Sequence, residues 1–199
     1  MEELLSVKNL SINFDTFKGQ LQALRDVSFN LKKGEILAVA GESGCGKSVL
    51  LKSIMKLLPE NARVNCGQIR LKGADITSYG EREMQKLRGR QLSIIFQEPA
   101  TALNPTLSIG KQIEEAVRLH NPHMKKREAY QRVMELMALV EIDNPKQWYD
   151  LYPCHFSGGM LQRCVIAMAL SCSPEILLAD EPTTALDLTN QAQILTLLR

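Results

Sequence analysis

The sequence lacks the features that would place it in a bilayer, in a secretory pathway or on nucleic acid. Its longest uninterrupted apolar run, residues 164–170, is far shorter than the roughly 20 residues that span a membrane. The first residues, MEELL, carry two acids where a signal peptide carries basic residues. Lysine and arginine number 24 against 22 acidic residues, so the net charge of +2 offers no concentrated basic surface for nucleic acid. We therefore expect a soluble, cytoplasmic chain with no nucleic-acid partner.

Paired cysteines are also missing. The five cysteines are an odd number and form no C-x-x-C pair, which is typical of reduced thiols in the cytosol and not of a disulfide framework or a zinc site. Cys154 beside His155 could begin a metal site, but no second pair of ligands matches it. What remains is ordinary: 199 residues, 45% hydrophobic and 23% charged, indicate one globular domain with a sizeable core.

Hydrophobic periodicity predicts an α/β protein. Alternating segments within residues 4–31, broken by the turn-forming DTFKGQ, predict two antiparallel strands. The continuous apolar runs EILAVA (35–40) and EILLAD (175–180) are typical of central strands covered on both faces. GQIRLKG and QLSIIFQ predict two further strands, while the period between residues 99 and 171 is helical and indicates a helical subdomain.

Residues 41–48, GESGCGKS, match the phosphate-loop pattern G-x-x-x-x-G-K-[ST]. Its glycines let backbone N–H groups face a phosphate, Lys47 supplies charge to the β- and γ-phosphates, and the Ser48 hydroxyl can ligate Mg²⁺. Cys45 is interpreted as a tolerated small residue. A glycine-rich turn with an incidental lysine is the alternative, but the predicted order of strand, loop and helix favours a phosphate loop.

Two carboxylates end the second buried run, where a phosphate loop needs them. Asp180 is predicted to hold the Mg²⁺ shell, and Glu181 to orient or deprotonate the water that attacks the γ-phosphate. Gln97 ends another predicted strand, and ligands collect at the carboxyl ends of parallel strands, where it can contact metal and water. Carboxylate pairs at strand ends are usually just solvated, but the phosphate loop in the same chain argues against that alternative for Asp180 and Glu181. For Gln97 the solvated alternative stays open.

Ser157, Gly158 and Gly159 precede an apolar run that predicts a buried helix, and they allow two interpretations. Serine is a good N-cap, and one glycine would ease the adjoining turn. Alternatively, two small residues at a positive helix end let a phosphate approach the backbone. From these residues alone both interpretations stay open.

Taken in order, GESGCGKS, Gln97, FSGGM, ILLADEP and ALD resemble the nucleotide-binding subunits of ATP-binding-cassette (ABC) transporters, over essentially the whole chain. FSGGM departs slightly from the commoner LSGGQ form of the signature. The strings FQEPATALNP, YPCHFSGGMLQR, IAMAL and ADEPTTALD resemble the branch that powers import of oligopeptides, dipeptides or nickel. The resemblance implies a P-loop NTPase (RecA-like) core with an N-terminal antiparallel β subdomain, over residues 1–98 and 173–199. It also implies an inserted α-helical subdomain with the signature, over residues 99–172.

The resemblance also assigns roles that the residues alone do not. It implies that the signature residues Ser157, Gly158 and Gly159 bind the γ-phosphate of ATP held by the opposite cassette, and that Asp187 lies at the dimer seam. An aromatic of the first strands stacks on adenine, and Phe14 is the predicted one, with a core role as the alternative. The family's switch histidine lies beyond the last residue of this chain. We therefore expect the C-terminal part of the cassette to be missing and hydrolysis by this form to be weak or absent.

The predicted function is an ATP-binding and ATP-hydrolysing subunit that powers a membrane importer of peptides, with nickel or another metal chelate as alternative cargo. Its cofactors are expected to be ATP and Mg²⁺, and its location the cytoplasmic face of the cell membrane, as a peripheral subunit. The expected partners are permease subunits, a second ABC ATPase subunit and, indirectly, an extracytoplasmic substrate-binding protein. A non-transport ABC ATPase acting on nucleic acid is disfavoured because no heptad repeat separates Gln97 from Ser157. Glu181 argues against a module that binds nucleotide without hydrolysing it.

The predicted site residues fall into three groups. Catalytic roles are assigned to Lys47, Gln97 and Glu181, and metal ligation to Ser48, Gln97 and Asp180. The predicted nucleotide-binding residues are Phe14, Gly41, Glu42, Ser43, Gly44, Cys45, Gly46, Lys47, Ser48, Val49, Ser157, Gly158, Gly159 and Asp187.

Overall fold

Two units of different construction make up the chain, residues 1–86 and 87–199. A computed structural model describes residues 2–183 and 188–198 of them. The first unit is dominated by antiparallel strands and the second by helices around two parallel strands. The predicted α/β class and the antiparallel start are therefore confirmed, whereas the predicted division at residues 98 and 173 stays a prediction.

Four antiparallel strands form the sheet of the first unit: β1 (Glu3–Thr16), β2 (Gly19–Lys32), β3 (Ala62–Leu71) and β4 (Ala74–Asp75). Their order is β2-β1-β3-β4, which places β1 between two long partners. Apolar side chains of β1 are consequently the most completely buried of this sheet, with Val7, Leu10 and Ile12 fully inaccessible. The predicted turn between β1 and β2 is confirmed at residues 17–18.

Helix α1 (Lys47–Ile54) follows the glycine-rich loop, and α2 (Glu81–Leu87) closes the first unit. The sequence predicts that α1 continues to Pro59, but it ends at Ile54. Lys56 adopts a left-handed backbone with φ of +51°, which no helix tolerates, and the Leu57 N–H donates back to the Lys52 carbonyl. The turn is therefore made by the residues before the proline.

The prediction that EILAVA (35–40) forms a central strand is wrong. Residues 35–40 form no strand with any described residue, and Ile36 and Val39 are 73% and 47% exposed. A continuous apolar run predicts burial, but a strand also requires neighbours that accept and donate its backbone hydrogen bonds. Residues 35–40 belong to the first unit, but among the described residues the four strands of that unit pair only with one another. The segment therefore takes no part in their hydrogen-bond ladders.

The second unit is built around the parallel pair β5 (Leu92–Ile95) and β6 (Ile176–Ala179), which confirms the strands predicted in QLSIIFQ and EILLAD. Its helices are α3 (Pro99–Ala102), α4 (Ile109–Leu119), α5 (Lys126–Leu139), α6 (Pro145–Trp148), α7 (Gly158–Leu170) and α8 (Leu188–Leu197), with a 3-10 turn at Pro153–His155. The predicted apolar faces form one core, which contains Ile109, Ile113 and Val117 of α4 and Val133 and Met137 of α5.

Two absences within residues 2–183 and 188–198 concern membrane spans and metal clusters. No helix in these ranges has the length and apolar character needed to cross a bilayer. In the same ranges, no group of three or more histidine, cysteine, aspartate or glutamate side chains is arranged to hold a metal ion. The free cysteines differ in exposure: Cys45, Cys66 and Cys154 are exposed, Cys172 is half-buried and Cys164 is buried.

Candidate functional site

The glycine-rich loop owes its shape to glycines in left-handed conformations. Gly44 has φ of +80° and Gly46 has φ of +98°, values that L-residues with side chains rarely adopt. A Cβ on Gly46 would lie 2.7 Å from the Ala23 carbonyl oxygen of β2 and 2.9 Å from the Leu24 side chain. Gly46 therefore allows the loop to pass against β2 immediately before α1 begins.

Lys47 closes the loop from the first position of α1. Its Nζ donates hydrogen bonds to the carbonyl oxygens of Gly41 (2.9 Å) and Glu42 (3.0 Å). The Cys45 N–H also donates to the Glu42 carbonyl, at 3.3 Å. The ammonium group is thus hydrogen-bonded to the loop that precedes it in sequence.

The first turn of α1 has no side-chain cap, unlike the first turn of α7, which Ser157 caps. Its N-cap is Gly46, which has no side-chain oxygen that could accept from the N–H groups of the turn. Ser48 and Val49 are half-buried in that turn, while Ser43 is exposed in the loop. The positive end of the helix dipole and the Lys47 charge therefore coincide, an arrangement that favours an anion.

The carboxyl ends of β5 and β6 bring together the predicted residues of the second unit. The strands run in parallel register from Leu92 opposite Ile176 to Ile95 opposite Ala179, and the Asp180 N–H continues the ladder to the Ile95 carbonyl at 2.9 Å. Asp180 is consequently buried, with 4% of its surface exposed.

Gln97 and Glu181 make direct contact beyond those strand ends. The Gln97 Nε2 donates a hydrogen bond to Glu181 Oε2 at 2.9 Å, across 84 positions of sequence. Glu181 has φ of +45°, a left-handed conformation that is unfavourable for a residue with a side chain and is concentrated at functional sites. The sequence predicted both residues at this edge, but not their mutual hydrogen bond.

Ser157 is the N-cap of α7, as one of the two interpretations required. Its Oγ accepts a hydrogen bond from the Met160 N–H at 3.3 Å, and its carbonyl accepts from the Leu161 N–H at 2.9 Å. Gly158 is exposed, and apart from its chain neighbours and the backbone of its own helix no atom of the described residues lies within 4 Å of the position where its Cβ would be. The serine therefore serves as the helix cap, but the local fold does not require a glycine at position 158. Capping alone does not explain that glycine.

Two further predicted residues have different outcomes. Phe14 is half-buried on β1, where it lies between Leu21 of β2 and Ala62 of β3, so stacking on adenine stays a prediction. Phe17, another aromatic near the first strands, is fully exposed at the turn between β1 and β2. Asp187 lies outside the described residues.

A buried support of the second unit was missed by sequence reasoning. The Tyr149 hydroxyl donates a hydrogen bond to Glu114 of α4, and burial together with this bond raises the pKa of Tyr149 well above its usual value. Gly110 lies against the Tyr149 ring, where a Cβ would be only 2.1 Å from a ring carbon. The pattern gave one signal for this contact: a glycine within an otherwise helical period.

Known proteins resemble the chain in sequence over nearly its whole length. Residues 24–184 match the sequence model of the ABC transporter family. The chain is 53% identical over 200 residues to the dipeptide transport ATP-binding protein DppD of Bacillus subtilis (strain 168), a match covering 100% of this chain and 59% of DppD. It is 50% identical over 197 residues to the oligopeptide transport ATP-binding protein OppD of the same organism, covering 98% of this chain and 55% of OppD. The chain thus spans less than two thirds of the length of these curated relatives.

A solved structure resembles the fold. A dimeric, post-hydrolysis form of the ATP-binding cassette MJ0796, bound to ADP and Pi, matches with a TM-score of 0.87 and 28% identity. The match covers 98% of this chain and 81% of that one. This likeness confirms the predicted fold, an α/β cassette with an antiparallel β part and helices.

Proposed function

The chain belongs to the ABC transporter family, and on that premise we propose that it binds and hydrolyses ATP as the ATPase subunit of a peptide importer. The names of its relatives, dipeptide and oligopeptide transport ATP-binding proteins, support the cargo class. Because the chain spans less than two thirds of those relatives, the activity, cargo and partners of the whole protein are all part of the proposal.

The observation that carries the proposal is the group at the ends of β5 and β6. In the parallel register of β5 and β6, Asp180 follows β6 directly. Beyond the strand ends, the Gln97 Nε2 donates a hydrogen bond to Glu181 Oε2 at 2.9 Å. A carboxylate held beside an amide suits hydrolysis, since the carboxylate can accept a proton from water and the amide can orient that water. A protein that only bound nucleotide would have no use for this pair.

The phosphate loop of the first unit supplies the nucleotide-binding half of the proposal. The Lys47 ammonium, which now donates to the Gly41 and Glu42 carbonyls, would donate to the β- and γ-phosphates of ATP. The backbone N–H groups of the loop and of the first turn of α1 would cradle the phosphates, with Glu42, Ser43, Cys45 and Val49 contributing through the backbone. Phe14 is proposed to stack on the adenine ring.

The three predicted metal ligands are each of a chemical type that suits Mg²⁺. Ser48 offers a hydroxyl oxygen, Gln97 an amide oxygen and Asp180 a buried carboxylate, and oxygen ligands are those that a hard divalent cation prefers. When bound, the cation would neutralise charge on the β- and γ-phosphates. These three residues would hold it directly or through water.

Hydrolysis then needs one proton acceptor and one orienting group. The Glu181 carboxylate would accept the proton of a water molecule as the water oxygen bonds to the γ-phosphorus and the bond to the β-phosphate oxygen breaks, giving ADP and phosphate. Gln97 would orient Glu181 and the water through its amide.

The signature residues are proposed to act on a second cassette. Gly158 is not needed by its own fold, and an exposed helix end with small residues suits a phosphate supplied from outside the chain. The solved cassette that this chain resembles is described as dimeric and bound to ADP and Pi, which supports such an assembly. Asp187 is proposed to lie at the same seam.

The remaining partners follow from transport. Permease subunits would supply the membrane channel, this chain would act at the cytoplasmic face as a peripheral subunit, and an extracytoplasmic binding protein would deliver cargo. Nickel or another metal chelate is the second candidate cargo, because the sequence strings that favour peptides are shared with that branch.

ATP binding is tested in the native full-length protein by calorimetry with Mg-ATP. Lys47→Ala should weaken binding at least tenfold, about 1.4 kcal/mol, because the phosphates lose their main cationic partner. Lys146→Ala, at an exposed lysine of α6, is the matched control and should bind as the wild type does. Unchanged affinity in Lys47→Ala would exclude the phosphate-loop assignment.

Hydrolysis and cargo are tested with Glu181→Gln, whose amide oxygen can still accept from Gln97. We expect ATP binding to persist while phosphate release falls at least a hundredfold, with Glu98→Gln as the control at a neighbouring exposed carboxylate.

Cells that carry Glu181→Gln should then fail to take up a labelled dipeptide but take up nickel normally. The reverse uptake result would favour the nickel alternative.

A further inference from the structure

Arg163 joins three elements of the second unit through one guanidinium group. Its Nη1 donates to the Val140 carbonyl at 2.7 Å and to Glu141 Oε2 at 3.0 Å, while its Nη2 donates to Gln193 Oε1 at 2.7 Å. The Arg163 side chain is 11% exposed, compared with 62% for Glu141. A largely buried cation is stable only with well-formed partners, and the Arg163 guanidinium has three.

These partners lie on different helices. Arg163 is on α7, Val140 ends α5, and Gln193 is on α8. The Val140 carbonyl lies at the negative end of the α5 dipole, which favours a cation. Glu141 has φ of +57°, an unfavourable conformation for glutamate that the surrounding contacts must maintain. The guanidinium therefore contacts a fixed helix end on one side and α8 on the other.

The two helices held by Arg163 follow the two segments assigned to the dimer seam. Helix α7 begins at Gly158, within the signature, and α8 begins at Leu188, directly after Asp187. A link between α7 and α8 would present the signature at the start of α7 to the second cassette from a fixed pair of helices. Arginine suits this link because its planar fork can serve two directions at once, whereas a lysine ammonium is a single point charge.

We propose that Arg163 is a positioning residue that holds the signature helix α7 and α8 together, so that the signature engages the partner's nucleotide from a fixed pair of helices. The inference rests on the proposed function, since it assumes an ATP-closed dimer. It does not place Arg163 in contact with ATP, and it therefore predicts an effect on dimer closure and turnover without an effect on ATP binding by the phosphate loop.

The variants for the test separate the two sides of the link. Arg163→Met removes both sides, Arg163→Lys keeps the charge but not the fork, and Gln193→Met removes only the α8 side, at an exposed residue. The matched control is Arg132→Met, because Arg132 pairs with Glu135 within α5 alone, at 3.1 Å.

Measurements on the native full-length protein cover binding, closure, turnover and rigidity. We expect the ATP dissociation constant and KM of all variants to stay within twofold of wild type. ATP-dependent dimerisation and kcat should fall at least tenfold in Arg163→Met and several-fold in Arg163→Lys and Gln193→Met. Hydrogen exchange should accelerate in α8 of Arg163→Met and Gln193→Met but not of Arg132→Met.

Three results would overturn the inference. The first is wild-type kcat and dimerisation in Gln193→Met and Arg163→Met. The second is a parallel loss of ATP binding and kcat, which indicates a general structural role. The third is unchanged hydrogen exchange in α8, which excludes the link whatever the ATPase does. A wild-type protein that neither dimerises nor hydrolyses ATP would instead refute the proposed function, and the exchange data would still decide whether the link exists.

Discussion

Replacing Gly110 by alanine is the substitution whose cost the structure defines most sharply. The new Cβ would lie 2.1, 2.3 and 2.5 Å from three carbons of the Tyr149 ring, far inside van der Waals contact. The ring cannot easily retreat, because Tyr149 is 9% exposed and its hydroxyl is bonded to Glu114. The φ of Gly110 lies outside the left-handed region, so the penalty is steric and not a backbone strain.

The loss of stability in Gly110→Ala has two sources, overpacking against the Tyr149 ring and displacement of the Tyr149 hydroxyl from Glu114. Overpacking of a rigid site costs about 1–3 kcal/mol, and displacing the tyrosine from Glu114 adds about 1.5–3 kcal/mol for a hydrogen bond to a charged group. The better helix propensity of alanine returns at most about 1 kcal/mol, because Gly110 lies in the first turn of α4. We expect a net loss of about 3 kcal/mol in the free energy of unfolding, equivalent to a fall of roughly 6–12 °C in Tm for a domain of this size.

The assay is urea and thermal unfolding followed by circular dichroism, with Gly158→Ala as the control because no described atom lies within 4 Å of its new Cβ. That control should stay within about 0.5 kcal/mol of wild type. In a Tyr149→Ala background, where the ring is absent, Gly110→Ala should cost almost nothing more. Equal Tm values for Gly110→Ala and Gly158→Ala would refute the packing argument.

Two further predictions concern ionisable groups. Hydrogen bonds from the Thr77 and Gln68 side chains lower the pKa of Asp75 from 3.8 to about 2, so its contribution to stability is present above pH 3.8 and is lost as the pH falls towards 2. Urea midpoints measured between pH 5 and 2 should therefore converge for wild type and Asp75→Asn, and a constant difference would contradict the assignment. Burial raises the pKa of the Cys164 thiol to about 12, so at pH 8 a thiol reagent should label Cys45 and Cys154 in the native protein and Cys164 only after unfolding; mass spectrometry that finds Cys164 labelled first would be the opposite result.

Local patterns predicted the parts of the site that depend on neighbours in sequence. The glycines before Lys47, the cap at Ser157 and the strand ends at Asp180 and Gln97 each follow from a few adjacent residues. The structure adds contacts across long separations, such as the bond between Gln97 and Glu181, which no periodicity encodes.

The wrong prediction of a strand at EILAVA also comes from contacts that local sequence does not encode. EILAVA has the composition of a central strand, but composition does not specify which strands pair with it, and no described residue does. Gly110 and Arg163 were missed for a related reason, because their roles are defined by Tyr149 and Gln193, which lie 39 and 30 positions away. The sequence contained a signal only for Gly110, as a glycine within a helical period.

The central claim, that the signature acts on ATP held by a second cassette, is tested most directly by mixing two defective full-length chains. One carries Ser157→Arg and the other Lys47→Ala, and neither homodimer should trap nucleotide. In the mixed dimer both lesions fall on one composite site, because the altered signature of the first chain faces the altered phosphate loop of the second. We predict ATP-dependent mixed dimers with one trapped nucleotide each. If Ser157→Arg instead impairs nucleotide retention in its own phosphate loop and leaves its partner's untouched, the serine is only a helix cap, worth about 1 kcal/mol of stability, and the claim is contradicted.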